Sequence, residues 1–298
     1  AQLMYNCPEY LESTYASFKL RATPVNVNYR YKAPEIAYIC DNAGATVLVF
    51  HGSLGDRVDE ARASMPTVTT LVQVDDGSPL VDGAVWYHDL VARSAPAERI
   101  ARDGEDALML YTGGTTGNPK GVVWRHVDLF GALAFTSYAT AGLEPPRTPE
   151  DVGRIAAELQ ASGKSPVMLC APPLMHGTAL FLAIGAFVMG GTVVLLGGRS
   201  FDPLEVWQLV DRHRVTQISL VGDAFARPMN VALDDLEAAG ASLDLTSVAR
   251  IVSTGATLSA EQKRAFQRRL PNATVIDMIG ASEGGPFAVS MTLPGQEP

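Results

Sequence analysis

The stretch "DALMLYTGGTTGNPKG", residues 106 to 121, decides how the rest of the chain is read. Its first seven residues form a strand-like apolar run. The other nine have almost no apolar side chains: glycines stand at 113, 114, 117 and 121, hydroxyls at Thr115 and Thr116 join that of Thr112 at the end of the run, and Lys120 is the one cation. Glycines without a Cβ let backbone amides approach phosphate oxygens, threonines add hydroxyl donors, and a lysine adds a point charge. A plain surface turn needs no such combination, so the loop reads as a phosphate cradle. It is not the P-loop of kinases and GTPases, where Gly-Lys-Ser/Thr run in direct succession, because Asn118 and Pro119 separate Gly117 from Lys120.

Strand-like and helix-like patterns alternate on both sides of this loop, which is the mark of an α/β protein with mostly parallel sheets flanked by helices. Upstream, Asn6 and Pro8 open a helix through "EYLESTYASFKLR", "PVNVNY" is extended, a second helix begins near Pro34, and "ATVLVF" (45 to 50) is a buried strand. Downstream, a helix is expected from about Asp128, which places the loop between a strand and a helix, at a strand's carboxyl end where α/β sheets bind ligands. Further strands are read at 166–171, 191–196, 216–221, 248–254 and 273–279. Helices are read in "PLEVWQLVDRH" and "AEQKRAFQRRL". The Pro- and charge-rich stretch 141–166 reads as a loop plus one surface helix, a lid or an insertion.

The 298 residues, 47% hydrophobic and 18% charged, describe a globular protein able to bury a large core. A net charge of -9 argues against a general nucleic-acid or anionic-membrane surface, so a polyanion would have to bind at a local site. Cys7, Cys40 and Cys170 lack CxxC spacing and read as buried free thiols rather than a zinc site or disulfide framework. No apolar run reaches the length of a membrane span, and the expected location is cytoplasmic. The chain opens at "AQLMYNCPEY" as if inside a strand and stops at "MTLPGQEP" after another, which reads as a piece of something longer.

Four other segments stand out: "STGATLS" (253 to 259), "DMIGASEGG" (277 to 285), "APPLMHGTALF" (171 to 181) and "VGDAFARPM" (221 to 229). Together with "LMLYTGGTTGNPKGV", they resemble, in the expected order, the motifs of the adenylate-forming (AMP-binding) superfamily, which includes acyl-CoA synthetases, peptide-synthetase adenylation domains and firefly luciferase. "YNCPEYLESTYASFKLRATPVNVNYRY" (5 to 31) resembles the fatty-acid branch and reads as scaffold.

The resemblance implies the large N-terminal domain of that fold over residues 1–298, built of two subdomains, with the small C-terminal lid domain absent. It implies ATP, Mg²⁺ and coenzyme A as co-substrates and cofactor, a small-molecule carboxylic acid as substrate, and possible homodimers. Thr112, Gly113, Gly114, Thr115, Thr116, Gly117 and Lys120 would hold the phosphates, although Gly113 stands where the family has a serine, so one hydroxyl donor is lost. Gly255, Ala256 and Thr257 would line the purine pocket. Asp277, Met278, Ile279, Gly280 and Ser282 would contact the nucleotide, Ile279 replacing an aromatic that stacks on adenine, and Ser282 standing in the threonine position. Glu283 would hold Mg²⁺, a hard cation that takes carboxylate oxygen. Lys120, Ser282, Glu283 and His176 form the expected catalytic set.

Some readings stay open. His176 either lies near the substrate carboxylate or starts a helix. The segment at Asp223 either floors the acyl pocket or caps a helix. His126 anchors the next helix rather than acting as a base. The activity implied is ATP-dependent formation of an acyl-adenylate from a fatty or steroid side-chain acid, followed by thioester formation. The rivals are an adenylating enzyme that loads a carrier protein, or a non-catalytic nucleotide-binding module.

Overall fold

A computed structural model describes residues 1–113 and 117–298, so Gly114, Thr115 and Thr116 lie outside the described residues. The chain divides into two compact units, Ala1–Leu129 and Phe130–Pro298.

The first unit is built on four parallel strands in sequential order: β1 (Gln2–Leu3), β2 (Val47–His51), β3 (Thr70–Val74) and β4 (Ala84–Trp86). Helices α1 (Pro8–Lys19), α2 (Ala33–Asn42), α3 (Gly55–Ala61) and α4 (Tyr87–Arg93) accompany them. Proline near the first position of α1 and α2 pre-sets the helical φ where no amide partner is needed. Ile36, Ile39 and Cys40 of α2 and Leu48 and Phe50 of β2 are fully buried in one apolar cluster. The short elements α3, β3, β4 and α4 were not legible in the sequence.

A separate two-stranded antiparallel sheet joins β5 (Ala107–Thr112) to β6 (Lys120–Arg125). This corrects the expected strand-loop-helix order. The glycine-rich loop closes a hairpin, Thr112 pairs with Lys120, and α5 (His126–Leu133) begins only after β6. Val122 and Trp124 point inward and Val123 outward, an alternation that satisfies a half-buried strand as well as a helix start. His126 anchors α5, as expected: its amide donates to the Asp106 carbonyl at 2.7 Å, and its ring meets Phe18 edge-on at 4.5 Å.

The second unit carries a six-stranded sheet in the order β12-β11-β10-β9-β7-β8, from β7 (Val167–Cys170), β8 (Thr192–Leu195), β9 (Gln217–Leu220), β10 (Arg250–Thr254), β11 (Thr274–Ala281) and β12 (Gly284–Thr292). All neighbours are parallel except β12, which folds back antiparallel on β11. The central strand β9 is buried along its whole length, as a strand covered on both faces must be.

Helices α7 (Gly177–Val188), α8 (Pro203–His213), α9 (Gly222–Ala238) and α10 (Ala260–Arg269) cover the faces. Asp202 caps α8 by accepting the amides of Leu204 and Glu205, and Ser259 caps α10 through Gln262. Trp207 of α8 is fully buried beside Phe266, and its indole donates to the Met229 carbonyl at 2.8 Å. The stretch 141–166 contains α6 (Pro149–Ala161), opened by a Thr148–Asp151 capping box. Leu159 of α6 packs with Tyr138 and Met189, which ties this helix into the unit's core.

The three cysteines are buried and free. Burial pushes the thiols of Cys7 and Cys170 up to about 12, far from the thiolate form. Among the described residues, no helix is long and apolar enough to cross a membrane.

Candidate nucleotide-binding site

In the first unit the strand that leads into the glycine-rich segment is braced. Tyr111, the penultimate residue of β5, is clamped through its backbone by Asn26: the Asn26 amide donates to the Tyr111 carbonyl at 3.0 Å, and the Tyr111 N–H donates to Asn26 Oδ1 at 2.5 Å. Asn26 is 5% exposed, so this side chain imitates a neighbouring strand inside the core. The Tyr111 hydroxyl donates to Asn42 Oδ1 at 2.5 Å, fastening the same residue to α2.

Beyond this root Gly113 is exposed and Gly117 has φ of +94°, a backbone that a side chain would strain. Lys120 is exposed at the start of β6 and enters no ion pair among the described residues, so its charge is available to an anion. A Cβ at Gly121 would press on Met109 Sδ at 2.9 Å, so that glycine serves the packing of the hairpin rather than ligand approach.

In the second unit the remaining motifs lie at the carboxyl ends of parallel strands. Gly255 and Ala256 turn the chain out of β10, and Thr257 comes next. Two neighbours fix this turn. Gly222 opens α9 with its amide donating to Ser253 Oγ at 3.1 Å; a Cβ on Gly222 would sit 2.5 Å from the Thr257 carbonyl oxygen. Asp223 then receives the Ser259 amide at 2.8 Å, while its own amide donates to the Thr257 carbonyl at 3.0 Å. Asp223 is therefore not the helix cap, since α9 is capped at Val221. It braces the 257–259 segment.

Thr178 Oγ1 lies 3.7 Å from the position a Gly255 side chain would take, so the start of α7 and the 255–257 turn are brought together. His176 occupies the N-cap of α7, the place the helix-initiating reading gave it, with no hydrogen bond from its side chain to the helix's free amides. Thr178 was not singled out in the sequence, where a threonine in the first turn of an apolar helix gives no signal.

Asp277 and Met278 sit near the exit of β11 with opposite fates. Asp277 pairs with Lys263 of α10 at 3.0 Å. Met278 faces an enclosed cavity of about 20 Å³ shared with Ser137, Met168, Leu182, Gly185 and Met189, room for about one water. Ile279 is 67% exposed and Gly280 is exposed too. Ser282 and Glu283 form the tight turn between β11 and β12.

The Glu283 carboxylate is exposed in that turn and makes no ion pair among the described residues. No group of three or more His, Cys, Asp or Glu is poised around a metal among those residues. One free carboxylate suits Mg²⁺, which commonly binds one or two protein carboxylates together with substrate phosphates and waters, so the residues present fit that ion.

A family model described as AMP-binding enzyme matches residues 1–298. The chain belongs to the AMP-binding enzyme family. Among its relatives, the medium-chain acyl-CoA ligase Mig of Mycobacterium avium is 35% identical over 295 residues, which are 98% of this chain and 52% of that protein. The 3-oxocholest-4-en-26-oate--CoA ligase of Rhodococcus rhodochrous is 35% identical over 285 residues, 94% of this chain and 50% of that one. The chain thus spans about half the length of the curated relatives it matches.

The fold is that of the family's solved members. The anthranilate CoA ligase AuaEII, in complex with anthranoyl-AMP, superposes with a TM-score of 0.78 at 23% identity, covering 99% of this chain and 52% of its own. The inhibitor-bound N-terminal domain of FACL13 from Mycobacterium tuberculosis gives 0.72 at 24%, covering 98% and 65%.

Proposed function

We propose that this chain is the ATP- and acid-binding part of an acyl-CoA synthetase that activates a fatty or steroid side-chain acid. The observation that carries the reading is the gathering, in the second unit, of the 255–257 turn, the start of α7 and the Ser282–Glu283 turn at the carboxyl ends of parallel strands, where open α/β sheets hold ligands. The loop amides, Thr112 and Lys120 receive the phosphates, and the 255–257 turn receives the purine. The names of the Mycobacterium avium and Rhodococcus rhodochrous relatives favour a medium-chain or steroid acid.

A carboxylate resists substitution because oxide is a very poor leaving group. In the first step a substrate carboxylate oxygen attacks the α-phosphorus of ATP, and the bond to pyrophosphate breaks. Negative charge gathers on the phosphates, and the donors of the loop with Lys120 stabilise it without reorganising. Mg²⁺ held at Glu283 would neutralise part of the same charge. In the second step the thiol of coenzyme A displaces AMP and forms the thioester.

By family expectation, a ribose-gripping Asp and a lysine that contacts the α-phosphate come after Pro298 in the whole protein, which makes Lys120 a phosphate anchor rather than that lysine. The test is acid-dependent exchange of labelled pyrophosphate into ATP by the whole protein, with medium-chain and steroid side-chain acids in parallel. Exchange with either acid supports the reading, and its absence with both sinks it. Transfer of the acyl group to a carrier protein in preference to coenzyme A would replace the second step with the carrier-loading alternative.

A further inference from the structure

The loop departs from its family at one hydroxyl, since Gly113 stands where a serine would donate to phosphate, and the structure places another hydroxyl in that space. A Cβ built on Gly113 would lie 3.9 Å from the phenol oxygen of Tyr31, and no other described heavy atom outside its chain neighbours comes within 4 Å. A serine hydroxyl at 113 would sit one bond beyond that Cβ, so it and the Tyr31 hydroxyl would serve the same volume.

We propose that Tyr31 supplies the phosphate-binding hydroxyl that Gly113 lacks. The inference rests on the nucleotide reading of the loop.

Tyr31 is held for such a task. Its amide donates to the Asn28 carbonyl at 2.9 Å, and its carbonyl accepts from Arg57 Nη1 at 3.1 Å. Arg57 binds the Tyr29 carbonyl as well, at 2.7 Å, so the backbone on either side of Arg30 is fixed just before α2. The Tyr31 ring is half-buried against the core of the first unit, and its hydroxyl makes no hydrogen bond to a described residue. Burial, with the Glu35 carboxylate nearby, raises the pKa of the phenol and keeps it an O–H donor at neutral pH. An ionised phosphate oxygen can only accept, so a protonated phenol is the matching partner. A donor held on a rigid ring also loses little conformational freedom on binding.

The experiment titrates MgATP against the whole protein and follows the ³¹P phosphate signals and the adenine proton signals by NMR, with adenosine as a second ligand. Four proteins are compared: wild type, Tyr31→Phe, Gly113→Ser, and the double variant, each checked for an unchanged thermal melt. Tyr31→Phe is expected to weaken MgATP binding by about tenfold, the size of one hydrogen bond to a charged group, with adenosine binding unchanged. Gly113→Ser in the Tyr31→Phe background is expected to restore binding to within about twofold of wild type, because a Cβ at 113 meets only ordinary contact.

Unchanged MgATP binding in Tyr31→Phe overturns the inference and leaves the nucleotide reading standing. Equal loss of adenosine and MgATP, or no rescue by Gly113→Ser, also overturns it, since either would make Tyr31 a packing residue. Wild-type whole protein that perturbs no ATP signal overturns the nucleotide reading and this inference with it.

Discussion

The glycine-rich hairpin and the carboxyl edge of the six-stranded sheet both carry family motifs, but they are built on opposite plans. The hairpin's strands form a two-stranded antiparallel ribbon fastened at its root, where Asn26 and Asn42 hold Tyr111. The 255–257 turn is an exit from the middle of a buried parallel sheet, and its stiffness comes from contacts to its sides, where Gly222, Asp223 and Thr178 press close. On the proposed reading the first would receive phosphates and the second a flat purine, and the side contacts of the 255–257 turn suit it to be a fixed wall.

This contrast can be broken from either side. The largest expected effect is on chemistry alone: Glu283→Ala should lower pyrophosphate exchange by at least about a hundredfold, because the cation loses its protein carboxylate, while the thermal midpoint stays within about 1 °C for a side chain with no ion pair in a surface turn. Retained exchange would remove Glu283 from the site. Next comes the root of the hairpin. Asn26→Ala leaves the buried N–H and C=O of Tyr111 without partners and should cost about 3 kcal/mol in urea denaturation. Hydrogen exchange should locate the loss in residues of the first unit; a cost below about 1 kcal/mol would mean that the clamp is dispensable.

Gly222→Ala tests the wall. It combines a φ of +50° with a Cβ 2.5 Å from the Thr257 carbonyl, and should cost about 2 kcal/mol while weakening adenosine binding. Loss of stability with adenosine affinity intact would separate Gly222 from the purine turn.

The smallest effect concerns His126, just past the hairpin. Burial lowers its pKa below the ordinary 6.5, opposed by the Asp106 carboxylate, and its Nε2 is buried without a hydrogen-bond partner among the described residues. The folded chain therefore binds this proton less readily than the unfolded chain. Stability contributed by neutral His126 should be fully present well above pH 6.5 and should fall as pH drops through 6.5 towards the lower folded value. A pH series of urea midpoints should show this slope in wild type and lose it in His126→Phe.

How much of this was legible beforehand varied with the range of the forces involved. Helices α8 and α10 could be read to within a residue because their apolar residues recur at helical spacing, a pattern carried by the segment itself. Strand β9 could be read because "TQISLV" is a short run with β-branched and aliphatic residues at strand spacing, but that Gln217 and Ser219 are buried as well was decided by the sheet being covered on both faces. The hairpin could not, since "KGVVWR" is too short for its period to separate a strand from the approach to a helix, and only pairing with β5 chose. Thr178 and Tyr31 were invisible as site residues for a different reason. Each is ordinary in its own segment and gains significance only from a glycine that lies 77 or 82 positions away along the chain.

By itself the sequence determined the chemistry on offer: a run of glycines, threonines and one lysine that suits a phosphate, a lone acid after "DMIGAS", and an alternation that demands an α/β fold. Those properties come from side-chain type and short-range periodicity, which any stretch of chain carries before it folds. Only the tertiary structure decided that the loop closes an antiparallel hairpin, that Asp223 braces a turn instead of capping a helix, and that a tyrosine from the approach to α2 stands where Gly113 has no side chain. Those are contacts between residues distant in sequence, fixed by which apolar faces bury together, and no local pattern encodes them.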